Sequence, residues 1–398
     1  VRVDADAVLV GNAVPGDVLE LNMQGKRRGV LRADVIAIIE ASDQRVPPPC
    51  PVADQCGGCA LQYIAPSEQA SLKSNWVTDA FRACIAVDTE VIAAGGNTSH
   101  LRRRVRWFSG QDEDGSFLGF YAPASHRPVR HSDCMVLTAE LNAVRYFIEH
   151  EIALQGIDSV QAIQLDDGVH VVLETAIQPE KIEQKSIAGL PLQWWWRDGN
   201  HITRPLHKPV QYFHDVLPAG GADVRLIVGP DDFVQGQAQG NAALITQIQI
   251  WTGSVKRIAD LFCGIGNLSL PLAAATEAEV FGAELNPASV RAASNNAKAL
   301  GIKAQFSVAN LFEDFDHEPY IGADVLLLDP PRRGAKRVCG QIGQLLPKKI
   351  IMLSCDVAAG ARDGVLLRKQ GYRLQALRAL DLFPYAGHVE AMSLWVLE

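Results

Sequence analysis

The sequence has no excess of positive charge: 37 Lys and Arg stand against 45 Asp and Glu, a formal net charge of −8. A protein that coats nucleic acid without selection must neutralise many phosphates, so this balance excludes that class. No apolar run approaches the roughly 18 residues that a membrane-crossing helix needs. The opening "VRVDADAVLV" has neither the basic start nor the apolar stretch of a secretory signal. A cytoplasmic protein without membrane association is therefore expected. The chain opens on Val1 rather than methionine, as expected of a shortened N-terminus. Internal repeats and low-complexity tracts are also absent. What is present is material for two or three ordinary cores, 398 residues of which 48% are hydrophobic.

Local charge opposes the average in three places: "GKRRG" (Lys26, Arg27, Arg28), "LRRRVRW" (Arg102, Arg103, Arg104, Arg106) and "PPRRGAKR" (Arg332, Arg333, Lys336, Arg337). Each alone fits a solvated face, whereas three together fit a docking surface. The eight cysteines are unevenly spread. In a cytosolic chain they point to metal or catalysis before disulfides.

Residues 1–46 alternate apolar and polar with turns at "PGD" and "QGKRRG", the pattern of a small β-barrel or part of one. Three consecutive prolines then mark a boundary before the Cys-rich "CPVADQCGGC". "PSEQASLKSNWVTDAFRACI" has helical apolar spacing, with Ser67 as the candidate N-cap. Residues 47–228 read as an α+β middle domain.

From residue 229 onward strands and helices alternate. "RIADLFCGIGN" is a strand entering a glycine turn, and "EVFGAELN" is a second strand. "PASVRAASNNAKALG" is a helix with Pro287 near its start and Gly301 past its end. "ADVLLLDPPRRG" and "KKIIMLSCD" are strands apolar throughout, as buried parallel strands tend to be. The expected fold class is α/β, with a doubly wound Rossmann-like sheet at 229–398 and ligands at the carboxyl ends of its strands.

In "DLFCGIGN" the glycines Gly264 and Gly266 let the backbone turn sharply and approach a ligand. Glu284 ends the next strand, where a carboxylate accepts hydrogen bonds from ribose hydroxyls. The third glycine of the dinucleotide fingerprint is missing. That absence shifts the expected cofactor to S-adenosylmethionine, which has no pyrophosphate to cradle.

Asp329 ends a buried strand and is followed by two prolines. No aromatic residue follows the Asp-Pro-Pro; Arg332 stands there instead, which disfavours methylation of an exocyclic amine. Cys355 ends the neighbouring strand and faces the same cleft. A thiolate is a strong nucleophile once cations or a helix N-terminus lower its pKa. Taken alone, Cys355 reads as a small buried hydrophobe, and the surrounding motifs reverse that preference. Carbon 5 of uracil is a poor nucleophile until a thiolate adds at carbon 6. The carbon 5 proton must then leave to a base, for which "GHVEAMSLW" offers Glu390, with His388 nearby.

"DLFCGIGN", "AELN", "LLDPPRRG", "SCD" with "GARD", and "GHVE", in this order, resemble the RNA (uracil-5-)methyltransferase family. "DDFVQGQAQGN" resembles the family's Phe-x-Gln segment. "CPVADQCGGCALQ" with Cys134 in "HSDC" resembles its iron-sulfur ligand set, and residues 1–46 resemble a partial TRAM domain, a small RNA-binding barrel.

The resemblance implies that Cys355 is the nucleophile and Glu390 the base. It implies that Gln235, Phe262, Gly264, Asn267, Glu284, Asn310 and Asp329 surround S-adenosylmethionine or the reacting base. The chain departs from the family's Ser-Cys-Asn-Pro at Asp356 and Val357, and from Phe-x-Gln-x-Asn at Gln237. A carboxylate at Asp356 is expected to raise the pKa of the adjacent thiol unless arginines offset it.

Cys50, Cys56 and Cys59 form C-x(5)-C-x(2)-C, which differs from the C-x(3)-C-x(2)-C of radical enzymes. With Cys134, four thiolates suit zinc or a [4Fe-4S] cluster, and spacing alone does not separate them. The resemblance selects [4Fe-4S], expected to organise the middle domain and its RNA surface. Cys84, Cys263 and Cys339 read as packing residues. The expected protein is a monomeric methyltransferase making 5-methyluridine in RNA, foremost 23S rRNA. The alternatives are tRNA uridine-5 methylation, cytosine-5 methylation and an RNA-binding protein that has lost its activity.

Overall fold

The computed structural model describes the chain except residues 1, 4, 5, 28, 87, 93–100, 181, 184 and 185, and leaves undescribed the side chains of residues 2, 3, 6, 7 and 27. Arg28 and the side chain of Arg27, two of the basic-patch residues, thus lie outside the description.

The C-terminal sheet has eight strands. In spatial order they are Ala304–Val308, Glu279–Glu284, Arg257–Leu261, Val325–Leu328, Lys349–Ser354, Glu390–Leu397, Tyr372–Leu380 and Glu90–Ile92. Only Glu390–Leu397 runs antiparallel to its neighbours. Alternate residues of each strand enter opposite cores. Ala259, Leu326 and Ile350 join Val77, Phe81, Val338 and Leu367 on one face. Ile258, Leu327 and Ile351 join Leu244, Ile248 and Leu270 on the other. Both faces are covered, which is why these strands are apolar without alternation. Strand order reverses between Arg257–Leu261 and Val325–Leu328, and a ligand crevice opens at the carboxyl ends beside such a reversal.

The helix Pro287–Leu300 has the expected ends: Pro287 in its first turn, Asn286 Oδ1 accepting from the Ala288 N–H at 2.9 Å, and Gly301 at φ 68°. The helix Pro66–Phe81 differs from expectation. Its N-cap is Ala65, with no side-chain cap, and Pro66 begins it. Proline pre-sets the first helical φ and lacks an N–H that would otherwise be orphaned there, so Ser67 falls inside the first turn.

Strands within residues 104–205 form a second eight-stranded sheet on which the helix Ala139–Glu151 packs. Residues 2–40 form a four-stranded sheet, in the order Arg2–Val3, Asp6–Val10, Val30–Glu40, Val18–Arg27. Two segments expected in the middle domain pack elsewhere. Glu90–Ile92 adds the last strand of the C-terminal sheet by pairing with Tyr372–Leu380. The hairpin Phe213–Ala219 with Ala222–Val228 places Leu217 and Leu226 in that sheet's core. A three-residue strand carries no periodic signal, so its partner was not readable from sequence.

His170 links the middle sheet to this hairpin. Its Nε2–H donates to Val228 O at 2.9 Å while Nδ1 accepts from Trp195 Nε1–H at 3.0 Å, which fixes a neutral tautomer. Burial lowers its pKa from 6.5 to about 4. A base depressed on folding contributes stability that is complete above pH 6.5 and lost as the pH falls towards 4. Buried carboxyls raised on folding titrate in the same range with the opposite sign, so the His170 share is read as a difference: urea titrations of the native chain and of His170→Gln should diverge by about 3 kcal/mol between pH 6.5 and 4, the native chain losing more. Parallel curves would place the acid sensitivity elsewhere.

Candidate active site

Strand register assembles the reactive end. Ser354 pairs with Ala391 across the antiparallel ladder, so the next positions, Cys355 and Glu390, face one another at the strand ends. Leu328 pairs with Met352 in the parallel ladder, so Asp329 follows at the same edge. Cys355, Glu390, Asp329, Arg332 and Pro331 line one end of a cleft of about 470 Å3.

The other end is built by the glycine turn. Phe262 leaves its strand at φ 69°, an uncommon conformation for a bulky residue, held by its N–H and that of Cys263 on Ala283 O at 2.9 and 3.1 Å. Gly264 and Gly266 follow at φ 55° and 88°. A Cβ on Gly266 would lie 2.6 Å from Leu270 Cδ1, so only glycine fits. Glu284 closes this end, with Oε1 accepting from the Asn286 N–H at 2.9 Å.

Of the residues expected around a cofactor, Gln235, Phe262, Gly264, Asn267, Glu284 and Asp329 line this cleft with Cys355 and Glu390. Asn310 does not; its Oδ1 accepts from the Phe312 N–H at 3.2 Å and shapes the turn beside the cleft. Asn267 is spent on a reciprocal amide pair with Asn241, at 2.8 and 3.0 Å. His388 is exposed and outside the cleft lining, with Arg332 Nη2 3.1 Å from its ring nitrogens.

Asp260 was missed. It is 1% exposed on the cleft floor beside Ser269, whose hydroxyl and N–H oppose the rise of its pKa, and neither carboxylate oxygen makes a well-formed hydrogen bond. A buried orphan carboxylate is costly unless a ligand completes it. Burial, with the charges of Asp329 and Glu284 adding, pushes its pKa up to about 7. The signal was available, since Asp260 is an acidic residue between the apolar Ile258, Ala259 and Leu261 of a buried strand.

Burial, reinforced by Asp329, pushes Glu390 up to about 8, and burial alone brings Asp329 to about 6. The Cys355 thiol is raised by burial, then by the Glu390 and Asp329 carboxylates, with Arg332 opposing. Asp356 caps the helix Val357–Lys369, its Oδ1 accepting from the Ala359 N–H at 2.9 Å. The departure from Asn-Pro therefore replaces one N-cap type by another, and its charge is stabilised at the helix N-terminus.

The basic patches divide. Arg333 lies over the Phe312 ring, 3.0 Å from its centroid, and with Lys336, Arg337 and Arg362 lines a surface groove beside the cleft. Lys26 is exposed. Arg103 is internal, 4% exposed, donating to Asp215 at 2.6 and 2.7 Å, and Arg106 pairs with Glu174. The "LRRR" run is thus partly structural rather than one solvated face.

Cys50, Cys56, Cys59 and Cys134 come together around a second cavity of about 60 Å3, with Gln62, Arg102 and His131. The segments are fixed by Gln62 accepting from the Cys50 N–H at 3.1 Å and by Asn142 bonding both the N–H and the carbonyl of Cys134 at 3.0 Å. Burial, then the charges of Cys134, Cys56 and Cys50, pushes the Cys59 thiol up to about 12. Among the described residues, no three His, Cys, Asp or Glu side chains converge so as to hold a single metal ion.

A mixed α/β chain with a nucleotide-type glycine turn, a carboxylate ending the next strand and a cysteine lining the same cleft fits the S-adenosylmethionine-dependent methyltransferase class. Residues 233–349 match the family model described as "Methyltransferase small domain". Over the whole length, the chain is 32% identical to a curated 23S rRNA (uracil(1939)-C(5))-methyltransferase RlmD from Shewanella halifaxensis, covering 99% of this chain and 92% of that protein. It is 31% identical to the protein of the same name from Shewanella piezotolerans, covering 98% and 91%. The chain belongs to the RNA (uracil-5-)methyltransferase family. A crystal structure of Pyrococcus abyssi tRNA (uracil-54, C5)-methyltransferase with S-adenosyl-L-homocysteine shares the fold at TM-score 0.74 and 20% identity, covering 98% of this chain and 95% of that one.

Proposed function

We propose that this protein transfers a methyl group from S-adenosylmethionine to carbon 5 of a uridine in large-subunit ribosomal RNA, through a covalent bond between Cys355 and the uracil ring. The observation that carries the reading is the meeting of Cys355, Glu390 and Asp329 at one end of a cleft whose other end holds Gly264 and Glu284. The rRNA substrate follows the curated relatives that match the chain along its length.

The target base leaves its stack to enter the cleft. With the Cys355 thiol and the Glu390 carboxyl having first released their protons to solvent, Cys355 Sγ bonds carbon 6, the carbon 5 to carbon 6 π electrons pass into an enolate, and carbon 5 then carries enough charge to take a methyl group. S-adenosylmethionine supplies that methyl as a sulfonium electrophile. Glu390 accepts the carbon 5 proton, the carbon 5 to carbon 6 double bond returns, and the Cys355 thiolate leaves. Asp329 hydrogen-bonds where donor and base meet, Arg332 offsets charge on the thiolate, and Gln235, Phe262 and Asn267 shape the donor site.

The orphan Asp260 carboxylate fits a cationic amino group, such as that of the donor's amino-acid moiety. Asp260→Asn should weaken S-adenosylhomocysteine binding by about tenfold in calorimetry, since it removes one charge-assisted contact. An unchanged affinity would remove Asp260 from the donor site.

Four cysteine thiols around one small cavity are the donor set of a [4Fe-4S] cluster in which each thiolate takes its own iron, and the resemblance of the cysteine segment to the family's ligand set favours that cluster over zinc. The cluster would neutralise the mutual repulsion of buried thiolates. Anaerobically purified protein should contain about four irons and four sulfides; stoichiometric zinc would refute the assignment.

Residues 1–46 are read as a partial TRAM-like RNA-binding barrel, 47–228 as the middle domain and 229–398 as the catalytic domain of a monomer. No helix among the described residues is long and apolar enough to cross a membrane, and the proposed rRNA substrate places the protein in the cytoplasm. Methylation of 23S rRNA fragments and tRNA transcripts, followed by nucleoside analysis, tests the substrate. 5-Methyluridine confined to the rRNA fragment is expected, and product only in tRNA would overturn the choice.

A further inference from the structure

Glu390 opens a strand, so its position depends on the loop 381–389 that precedes it. That loop is held largely by a segment some 300 residues earlier in the chain. Lys73, in the helix Pro66–Phe81, is 0% exposed. Its Nζ donates to Asp381 Oδ1 at 2.7 Å and to Phe383 O at 2.8 Å. One turn earlier, Gln69 Oε1 accepts from the Tyr385 N–H at 3.1 Å while its Nε2 donates to Ile64 O at 2.8 Å. The Leu61 N–H, beside the cysteine loop, donates to Tyr385 O at 2.7 Å. Gln237 Nε2, at the position where the family's asparagine would be too short by one methylene, donates to Leu382 O at 2.6 Å.

These contacts satisfy the loop's inward-facing carbonyls and the Tyr385 N–H with groups from residues 61–73 and 237. A lysine at 0% exposure is rare, because the desolvation of its ammonium must be offset by close partners. Both named partners of this one lie in the loop that leads to the base. The same segment continues into Gln62, which bonds the Cys50 N–H at 3.1 Å.

We propose that Lys73 is a positioning residue for Glu390, and that through Lys73, Gln69 and Leu61 the cysteine-bearing segment braces the loop that presents the base to the cleft. The proposal rests on the reading of Glu390 as the base that takes the carbon 5 proton. It gives the cysteine site a mechanical part in a reaction that transfers no electron. The brace acts on proton removal and not on donor binding, because the glycine turn at residues 262–266 receives none of these bonds.

The test compares Lys73→Met and Lys73→Arg with the native enzyme, using RNA carrying hydrogen or deuterium at carbon 5 of the target uridine. In Lys73→Met, kcat should fall about tenfold or more with KM for RNA within about twofold. The deuterium effect on kcat should grow as proton removal becomes limiting, and S-adenosylhomocysteine affinity should be unchanged. Backbone amide exchange should accelerate in residues 381–390 and not in 262–268, and Lys73→Arg should recover part of each change. A Lys73→Met enzyme with native turnover and isotope effect would overturn the proposal. So would acceleration of exchange spread equally over 262–268, which is the mark of general destabilisation. If Lys73→Met does not fold, Asp381→Ala, which leaves Phe383 O to the lysine, carries the same comparison. Glu390→Gln measured alongside separates the two readings: full turnover there would remove the base assignment, while amide exchange still decides whether the brace exists.

Discussion

Cys355→Ala should lower methyl transfer by about 10⁴-fold or more while leaving S-adenosylhomocysteine affinity within about twofold. The size follows from the chemistry. Without addition at carbon 6 the uracil ring offers carbon 5 no charge with which to take a methyl group, and proximity alone does not replace that activation. The selectivity follows from the geometry. Cys355 lies beside Asp329 in the cleft, apart from Gly264 and Glu284, the proposed donor contacts. The neighbouring N-cap, Asp356, is untouched by the change, so the helix Val357–Lys369 should keep its start. Initial rates with radiolabelled donor and calorimetry on the same preparation give both quantities. Residual turnover within tenfold of the native rate would mean that the thiol is a packing group.

Glu390→Gln should show a different failure, in which the methyl group is transferred but the product is not released. The amide fills the space of the carboxyl group, 6% exposed in the native chain, but cannot take the carbon 5 proton. A methylated RNA joined to Cys355 should therefore accumulate, with turnover lower by roughly 10²- to 10⁴-fold. The native enzyme should also carry a pH signature. Burial and Asp329 raise Glu390 to about 8, and the Cys355 thiol is raised as well, so both begin the cycle protonated at neutral pH. Turnover should rise with pH through 8 and continue to rise above it, because the thiol, raised from its ordinary value of 9.0, must ionise as well as the carboxyl. Donor affinity should not follow that rise. A flat profile between pH 6 and 9 would contradict the assignment of Glu390 as the base.

The parts of the site that were legible in the sequence are those set by local geometry. Gly264 and Gly266 had to follow an apolar strand because the turn needs positive φ, and Glu284 had to end the next strand. Asp329 and Cys355 stood at the ends of two runs that could only be buried strands. Asp356 came into focus only with the backbone: its carboxylate is used by the Ala359 N–H, and the upward push on the thiol comes from burial, Glu390 and Asp329 instead.

What was illegible depends on partners far apart in the chain. Lys73 and Asp381 are separated by 308 positions, and nothing in "SLKSNW" marks a buried cation. The strand Glu90–Ile92 is too short for periodicity, and Arg103 reads as surface charge until Asp215 is seen beside it. Asn310 entered the cofactor set through the family resemblance alone, and its Oδ1 accepts from the Phe312 N–H.

Covalent capture tests the central claim most directly. RNA bearing 5-fluorouridine at the target position is incubated with the protein and S-adenosylmethionine, and the denatured complex is weighed and mapped by mass spectrometry. Fluorine at carbon 5 cannot leave as a proton, so the methylated ring should remain bonded to the protein, on the peptide containing Cys355. Methylation of ordinary RNA by an enzyme that forms no such adduct, or an adduct mapped to another cysteine, would contradict the account.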